Sequence, residues 1–405
     1  MYFNNFYNTQ SIKRIYFPTK VFTGIESRSL IFNILPKNSV AILVVDKYFI
    51  KDPYLNKIEE HLNINRKIIV NSEPDTSLID KSINDLPYNI SSIIGIGGGS
   101  TIDTAKAIAA KIKYGEYRRI GYEKFRDVSL DIEKNDPVII AIPTTAGTGS
   151  EVSRYYLIKD IITKEKLVSR SWRIVPNYAI LDPYFLSSSP IKTIILCAFD
   201  AFIHLWETFI CQYERSNFTD MLAFEGIPQI LRCMEKLDRK ERLIDTEILK
   251  LQYSAMLGGV ALSNVRTGIM HGAGEALSAQ VALSHPETLY IFFEESIKQY
   301  SGVIEDRALL LLNVLNVKSL IKEYNSINDI IALWKSLFNK YNIEENIKEK
   351  IKYTEINLNK ITDIIIKDKV LMDKESPIRL TRRLIQDFVK SSLITYTFKD
   401  KTIKI

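Results

Sequence analysis

Histidine is scarce in this chain: four among 405 residues, His61, His204, His271 and His285. Cysteine is scarcer, with Cys197, Cys211 and Cys233 too few and too scattered for a disulfide framework or a zinc knuckle. Buried thiols in a reducing cytoplasm are the expectation. An excess of one charge is also missing. Lys plus Arg is 54 against 48 Asp plus Glu, a net +6 with no long basic run, so nothing points to a nucleic-acid partner. No apolar run reaches the ~18 residues of a bilayer span. The opening residues, Met1-Tyr2-Phe3-Asn4-Asn5, lack the basic-then-apolar layout of a signal peptide. The chain is therefore expected to be cytoplasmic, with no membrane partner. At 46% hydrophobic and 25% charged it is too apolar for a disordered protein.

What is present falls into two textures. The first half holds short, β-branched apolar runs: 39–45, 67–70, 92–96 and 138–142. These read as strands buried on both faces. Helix-period segments such as 104–112 lie between them, so the pattern predicts an α/β domain with a mainly parallel sheet. After Pro190 the periodicity becomes helical over 193–211, 219–237, 245–262 and 272–283. The expected domains are residues 1–189, α/β and nucleotide-binding, and 190–405, all-α and metal-binding.

Gly97-Gly98-Gly99-Ser100-Thr101 follows a strand and opens a helix. Glycines there allow a tight turn and close backbone approach, and the new helix turns its N–H groups toward an anion. Ser100 or Thr101 can cap the helix or bond a phosphate oxygen. In a Rossmann unit the ribose-binding acid comes ~20 residues after the glycines. Here the acid at a strand end, Asp46, precedes them, so the fingerprint is not the standard one. A carboxylate at that place accepts bonds from ribose hydroxyls and repels a 2′-phosphate, favouring NAD over NADP. A second loop of small and hydroxyl residues, Pro143-Thr144-Thr145-Ala146-Gly147-Thr148-Gly149-Ser150-Glu151, follows the next strand.

Asp200 and His204 lie four apart in a helix-period segment and so share a face. His271 and His285 fall in the same helical half. One carboxylate and three imidazoles complete a set of ligands for a divalent transition metal, and ligand type alone does not separate Fe2+ from Zn2+.

Taken together and in order, these motifs resemble the iron-containing alcohol dehydrogenase family over essentially the whole chain. The resemblance also rests on Asp103, Val152, Ala179-Ile180-Leu181-Asp182-Pro183 and Asp200-Ala201-Phe202-Ile203-His204. It implies a nucleotide-binding domain, a helical metal domain and an active site in the cleft between them. By position it implies Asp200, His204, His271 and His285 as metal ligands and Gly97, Gly98, Gly99 and Ser100 as the pyrophosphate loop. Further cofactor contacts implied are Asp46, Asp103, Thr144, Thr145, Thr148, Ser150, Lys166 and Leu186. The implied chemistry is hydride transfer between NAD(H) and a small alcohol or aldehyde, with the metal as Lewis acid on the substrate oxygen. A homodimer is the family expectation. The alternatives are a dehydroquinate synthase-like or glycerol dehydrogenase-like enzyme of the same fold, which also uses NAD and a metal.

Two departures bear on the substrate. Glu275 stands where most members carry a second histidine beside the substrate, and a glutamate there can still relay protons. Pro286 follows His285 where glycine is usual, which is expected to reshape that loop. Arg154, followed by Tyr155, lies just past the second loop, where the family places substrate. A cation there suits a carboxylate, phosphonate or phosphate, as in relatives that act on sugar acids or phosphonoacetaldehyde. The competing reading is an ion pair with Glu151 or Glu275.

Overall fold

A computed structural model describes residues 15–87, 89–118, 136–163, 165–212, 214–318, 322–352, 354–367, 376–396 and 403–404. The chain forms two compact units.

The first unit comprises Phe17–Ser189 together with Ile244–Ser263. Its strands are β1 (Lys20–Thr23), β2 (Val40–Asp46), β3 (Asn63–Val70), β4 (Ser92–Gly97), β5 (Val138–Pro143), β6 (Tyr155–Lys159), β7 (Lys166–Arg170) and β8 (Tyr178–Leu181). Six of them make one parallel sheet in the order β1-β8-β5-β4-β2-β3, while β6 and β7 pair as an antiparallel hairpin. Strand β2 shows why its residues must be apolar throughout. Alternate side chains point to opposite faces: Ala41, Leu43 and Val45 join Tyr54, Leu55 and Ile58 on one side, and Ile42 and Val44 join Ala105, Ile108 and Ala109 on the other. Helices Pro53–His61 and Gly99–Tyr114 thus cover the two faces. Each fully buried Ile, Leu or Val contributes about 1.5–3 kcal/mol. The four runs expected as strands are β2, β3, β4 and β5. Strands β1 and β8 and the hairpin escape that reading, because they are short and carry no long apolar run.

The second unit is built on Pro190–Leu243 and Asn264–Ile405. Its first helices are Ile191–Ile210, Asn217–Asp238, Ile269–Ser278 and His285–Val317. Among the described residues, Ile191–Ile210 alone is long and apolar enough to cross a membrane, but most of it is buried in this unit, as suits a core helix. The helix expected over 272–283 is instead Ile269–Ser278. The reason lies in the next helix, which starts at His285 with a Ser284–Glu287 capping box and therefore needs Ser284 extended. Pro286 sits in that helix's first turn, where its missing N–H costs nothing.

A break at Pro190 separates the two textures, but one helix of the later texture belongs to the earlier unit. Helix Asp245–Asn264 packs there, so the contiguous split 1–189/190–405 does not describe these units. The physical reason is specific. Gln252 Nε2 donates to the carbonyls of Pro143 and Asp182, at 3.1 Å each. Gly259 meets Gly149 backbone to backbone: a Cβ on Gly259 would lie 2.3 Å from the Gly149 oxygen. Gly149 itself has φ +61°, the left-handed region that favours glycine.

Candidate active site

Strands β2 and β4 are neighbours, with Val45 opposite Ile96. From β2 the chain moves outward to β3, and from β4 it moves the other way to β5, so the two carboxyl ends flank the crevice where open α/β sheets take ligands. Asp46 ends β2 and Gly97 ends β4. One Asp46 oxygen accepts the Tyr48 N–H at 3.0 Å.

Gly98 caps helix Gly99–Tyr114 without a side chain, which leaves the first N–H groups of the helix to an outside acceptor. The glycines are required by the neighbouring hydroxyl residues. A Cβ on Gly97 would lie 2.3 Å from Thr101 Oγ1, one on Gly98 3.2 Å from Thr145 Cγ2, and one on Gly99 2.7 Å from Thr148 Cγ2. The two loops therefore interlock, and the Thr144 N–H bonds the Gly97 carbonyl at 3.0 Å. Ser100, Thr145 and Thr148 stay half-buried beside a bare backbone cradle, which fits a dinucleotide pyrophosphate.

Other residues assigned to the cofactor are engaged within the fold. Asp103 accepts from Ser150 Oγ at 2.6 Å and from the Leu157 N–H at 2.9 Å. Lys106, fully buried, bonds Ser150 Oγ and the carbonyls of Ser153 and Tyr155 at 2.8–2.9 Å. This staple holds segment 150–157 against the helix and was not read from the sequence. Burial pushes the Lys106 ammonium down to about 8, against the pull of Asp103 and Glu151. Burial likewise pushes the Glu151 carboxyl up to about 7, opposed by its own N–H and by Lys106. Lys166 pairs with Glu73 at 2.8 Å, and Leu186 is fully buried.

Arg154 does not pair with Glu151. Its guanidinium carbon lies 5.2 Å and 5.0 Å from the rings of Tyr155 and Trp172. Nη2 donates to the Tyr155 hydroxyl at 3.1 Å, and the buried Nε has no hydrogen-bond partner. Its backbone N–H donates to Ser263 Oγ.

In the helical unit the imidazoles converge. The Nε2 atoms of His204, His271 and His285 lie 3.8, 3.9 and 3.7 Å from one oxygen, Asp200 Oδ1. Ligand atoms ~2.0–2.2 Å from a shared ion lie ~3–4 Å apart, so the spacing suits a metal. Asp200, His204 and His271 are buried and offer ligand atoms all within 4.8 Å of one another; His285 is 26% exposed at the rim. Asp200 Oδ1 and His271 Nε2 are buried without a hydrogen-bond partner. Such orphans are costly unless something binds them, so the donor set fits a divalent cation. Burial, then His204, holds the His271 imidazole well below its ordinary pKa, in the neutral form a metal needs.

The sequence pattern did not single out Glu207. It lies 2.6 Å from His271 Nδ1 and accepts from the N–H groups of Gly268 and Met270 at 2.9 and 2.7 Å. Burial pushes its carboxyl up to about 7, while the two N–H bonds oppose this. A signal existed: Asp200, His204 and Glu207 follow i, i+4, i+7 spacing on one helix face. Glu275 is half-buried one turn beyond His271, on the same face of its helix.

Comparison with known proteins identifies the architecture. The fold matches an iron-containing alcohol dehydrogenase from Thermococcus thioreducens with a TM-score of 0.75, over 94% of this chain and 99% of that one, at 19% identity. Residues 18–183 match the family "Iron-containing alcohol dehydrogenase" and 194–393 its C-terminal family, so the chain belongs to the iron-containing alcohol dehydrogenases, an NAD(H)- and iron-using family. It is similar to 4-hydroxybutyrate dehydrogenase of Clostridium kluyveri, 28% identical over 307 residues, 71% of this chain and 77% of the relative. It is also similar to NADPH-dependent butanol dehydrogenase of Clostridium saccharobutylicum, 26% identical over 83% of this chain and 86% of the relative. The chain spans about a third, 31%, of the aldehyde-alcohol dehydrogenase of Streptococcus pneumoniae, which it matches at 26% identity over 64% of its own length.

Proposed function

We propose that this oxidoreductase interconverts a short anionic alcohol and its aldehyde, using NAD(H) and a divalent metal, Fe2+ before Zn2+. The observation that carries the anionic substrate is Arg154. Its guanidinium rests on Tyr155 and Trp172 with Nε buried and unpartnered, in the segment where the family resemblance puts the substrate. The similarity to a 4-hydroxybutyrate dehydrogenase supports the same reading.

Asp200, His204, His271 and His285 would hold the metal. Bound there, metal and nicotinamide supply Lewis acidity at the substrate oxygen and the hydride acceptor or donor. Gly97–Ser100 and Thr144–Thr148 seat the phosphates through backbone N–H and hydroxyl groups. Asp46 keeps an oxygen for ribose and disfavours a 2′-phosphate. To Glu275, on the His271 face, we assign the passing of the substrate proton to water.

The test compares Arg154→Ala with the parent, both loaded with Fe2+ or Zn2+, using NADH and matched neutral and anionic aldehydes. Losing a charged hydrogen bond of about 1.5–3 kcal/mol raises KM for anionic aldehydes about tenfold to a hundredfold. Neutral aldehydes should change little. Equal losses on both would refute the anionic assignment, and no turnover of any aldehyde would refute the activity.

A further inference from the structure

We infer that Glu207 is the positioning residue that makes one preorganised metal site from two separate helices, by fixing His271 as an Nε2 ligand; this rests on the metal reading above. Helix Ile191–Ile210 contributes Asp200 and His204, and helix Ile269–Ser278 contributes His271. Glu207 joins the two. One oxygen, Oε1, takes the Met270 N–H; the other, Oε2, takes the Gly268 N–H and faces His271 Nδ1. Gly268 and Met270 open the second helix, and Gly268 offers no side chain to cap it. Glu207 supplies that cap from the other helix.

The backbone donors favour one tautomer. Both can only donate, and an ionised Glu207 accepts on both oxygens. His271 Nδ1 then carries the proton, and the Nε2 lone pair faces the Asp200 oxygen. A carboxylate on the far nitrogen of a ligating histidine orients the ring and raises its basicity. Ionised together, Glu207 and Asp200 would bring two negative charges to a buried site for a divalent cation. Gly268 is matched to this arrangement, because a Cβ there would lie 2.8 Å from Glu207 Oε1. A glutamine at 207 would turn an NH2 group against donors, which defeats the arrangement at almost unchanged size.

The experiment is a double-mutant cycle on metal affinity. Zn2+ and Co2+ binding is measured by competition with a chromophoric chelator for the parent, Glu207→Gln, His271→Ala and the double variant. Glu207→Gln should weaken binding about 10–100-fold, and in the His271→Ala background it should cost almost nothing more. Unchanged affinity in Glu207→Gln overturns the inference. So does an undiminished loss in the His271→Ala background, because the effect would not then run through His271. If Glu207→Gln does not fold, nitrogen-15 NMR of the Zn2+-loaded parent decides, since only four imidazoles contribute. A proton on His271 Nδ1 supports the inference, and a proton on Nε2 overturns it. Failure of the parent itself to bind metal would overturn the metal reading and this inference with it, a result separate from those above.

Discussion

Replacing Gly259 with alanine sets two effects of known size against each other. Gly259 lies inside helix Asp245–Asn264, and alanine is the better helix former there by about 1 kcal/mol. On propensity alone the substitution stabilises. Packing says the opposite. The new Cβ would lie 2.3 Å from the Gly149 oxygen and 2.8 Å from both Gly149 Cα and Val152 Cγ2. The first two are backbone atoms, and Gly149 is pinned in the left-handed region. Nothing can yield except the threonine loop itself. Overpacking costs about 1–3 kcal/mol, and contacts this short put it at the upper end. The net is a destabilisation of about 2 kcal/mol, or about 4–8 °C in Tm for a unit of this size. Gly302→Ala is the control. That glycine is also inside a helix, His285–Val317, and its Cβ would meet nothing within 4 Å. It should gain about 0.5–1 kcal/mol. Thermal unfolding followed by circular dichroism gives the two signs. A fluorescence titration with NADH should show weaker binding for Gly259→Ala alone, because the displaced loop carries Thr144, Thr145 and Thr148. A Tm that rises in both variants, with unchanged NADH affinity, would refute the reasoning.

Two further outcomes follow from the buried charges. Stripping the metal with a chelator should lower Tm, since an ion at about a hundred times its Kd adds about 2.7 kcal/mol; His271→Ala should show little of this response. The Glu151 carboxyl, raised by burial to about 7, favours the folded state while protonated. Its contribution is full below the unfolded value of 4.5 and fades as pH rises through about 7, so Glu151→Gln should flatten the fall in stability measured by urea denaturation across that window. Lys106, lowered to about 8, acts with the opposite sign: its contribution is present above 10.5 and fades as pH falls through about 8. An unchanged slope in Glu151→Gln would refute the assignment.

Much of this was legible in the sequence because each signal is a residue type at a fixed spacing. The doubly buried strands β2, β4 and β5 are unbroken apolar runs, too short for a core helix and too apolar for an exposed loop. The pair Asp200 and His204 shows by helical period. What stayed hidden is what depends on contacts distant in sequence. Nothing local to 245–264 says that this helix leaves the helical half to pack on the Gly149 loop; the information lies in two glycines 110 positions apart. Strand β1, exposed at the sheet edge, carries Lys20 and Thr23 and so reads as loop. Glu207 was concealed by its chemistry. It was in register with two metal ligands, but a carboxylate that serves another side chain has no type-specific signature of its own.

The same contrast separates the carboxylates that the motifs treat alike. Asp103 and Asp200 both sit in family signatures and both are candidates for a site. In the structure, Asp103 has each oxygen bonded, one to Ser150 and one to the Leu157 N–H, and its removal would unfasten a loop. Asp200 presents Oδ1 to three imidazole nitrogens and to no donor. A buried oxygen left without a donor costs about 1–3 kcal/mol, which folding alone does not return. The orphan criterion is not sufficient by itself, because Trp206 Nε1 is also buried and unpartnered. Convergence completes it: an indole N–H stands alone, whereas Asp200 and the three histidines point at one volume. On that standard Asp103 is held by partners within the fold, Asp200 is left open to a cation, and Glu207 is the proposed link to the third histidine.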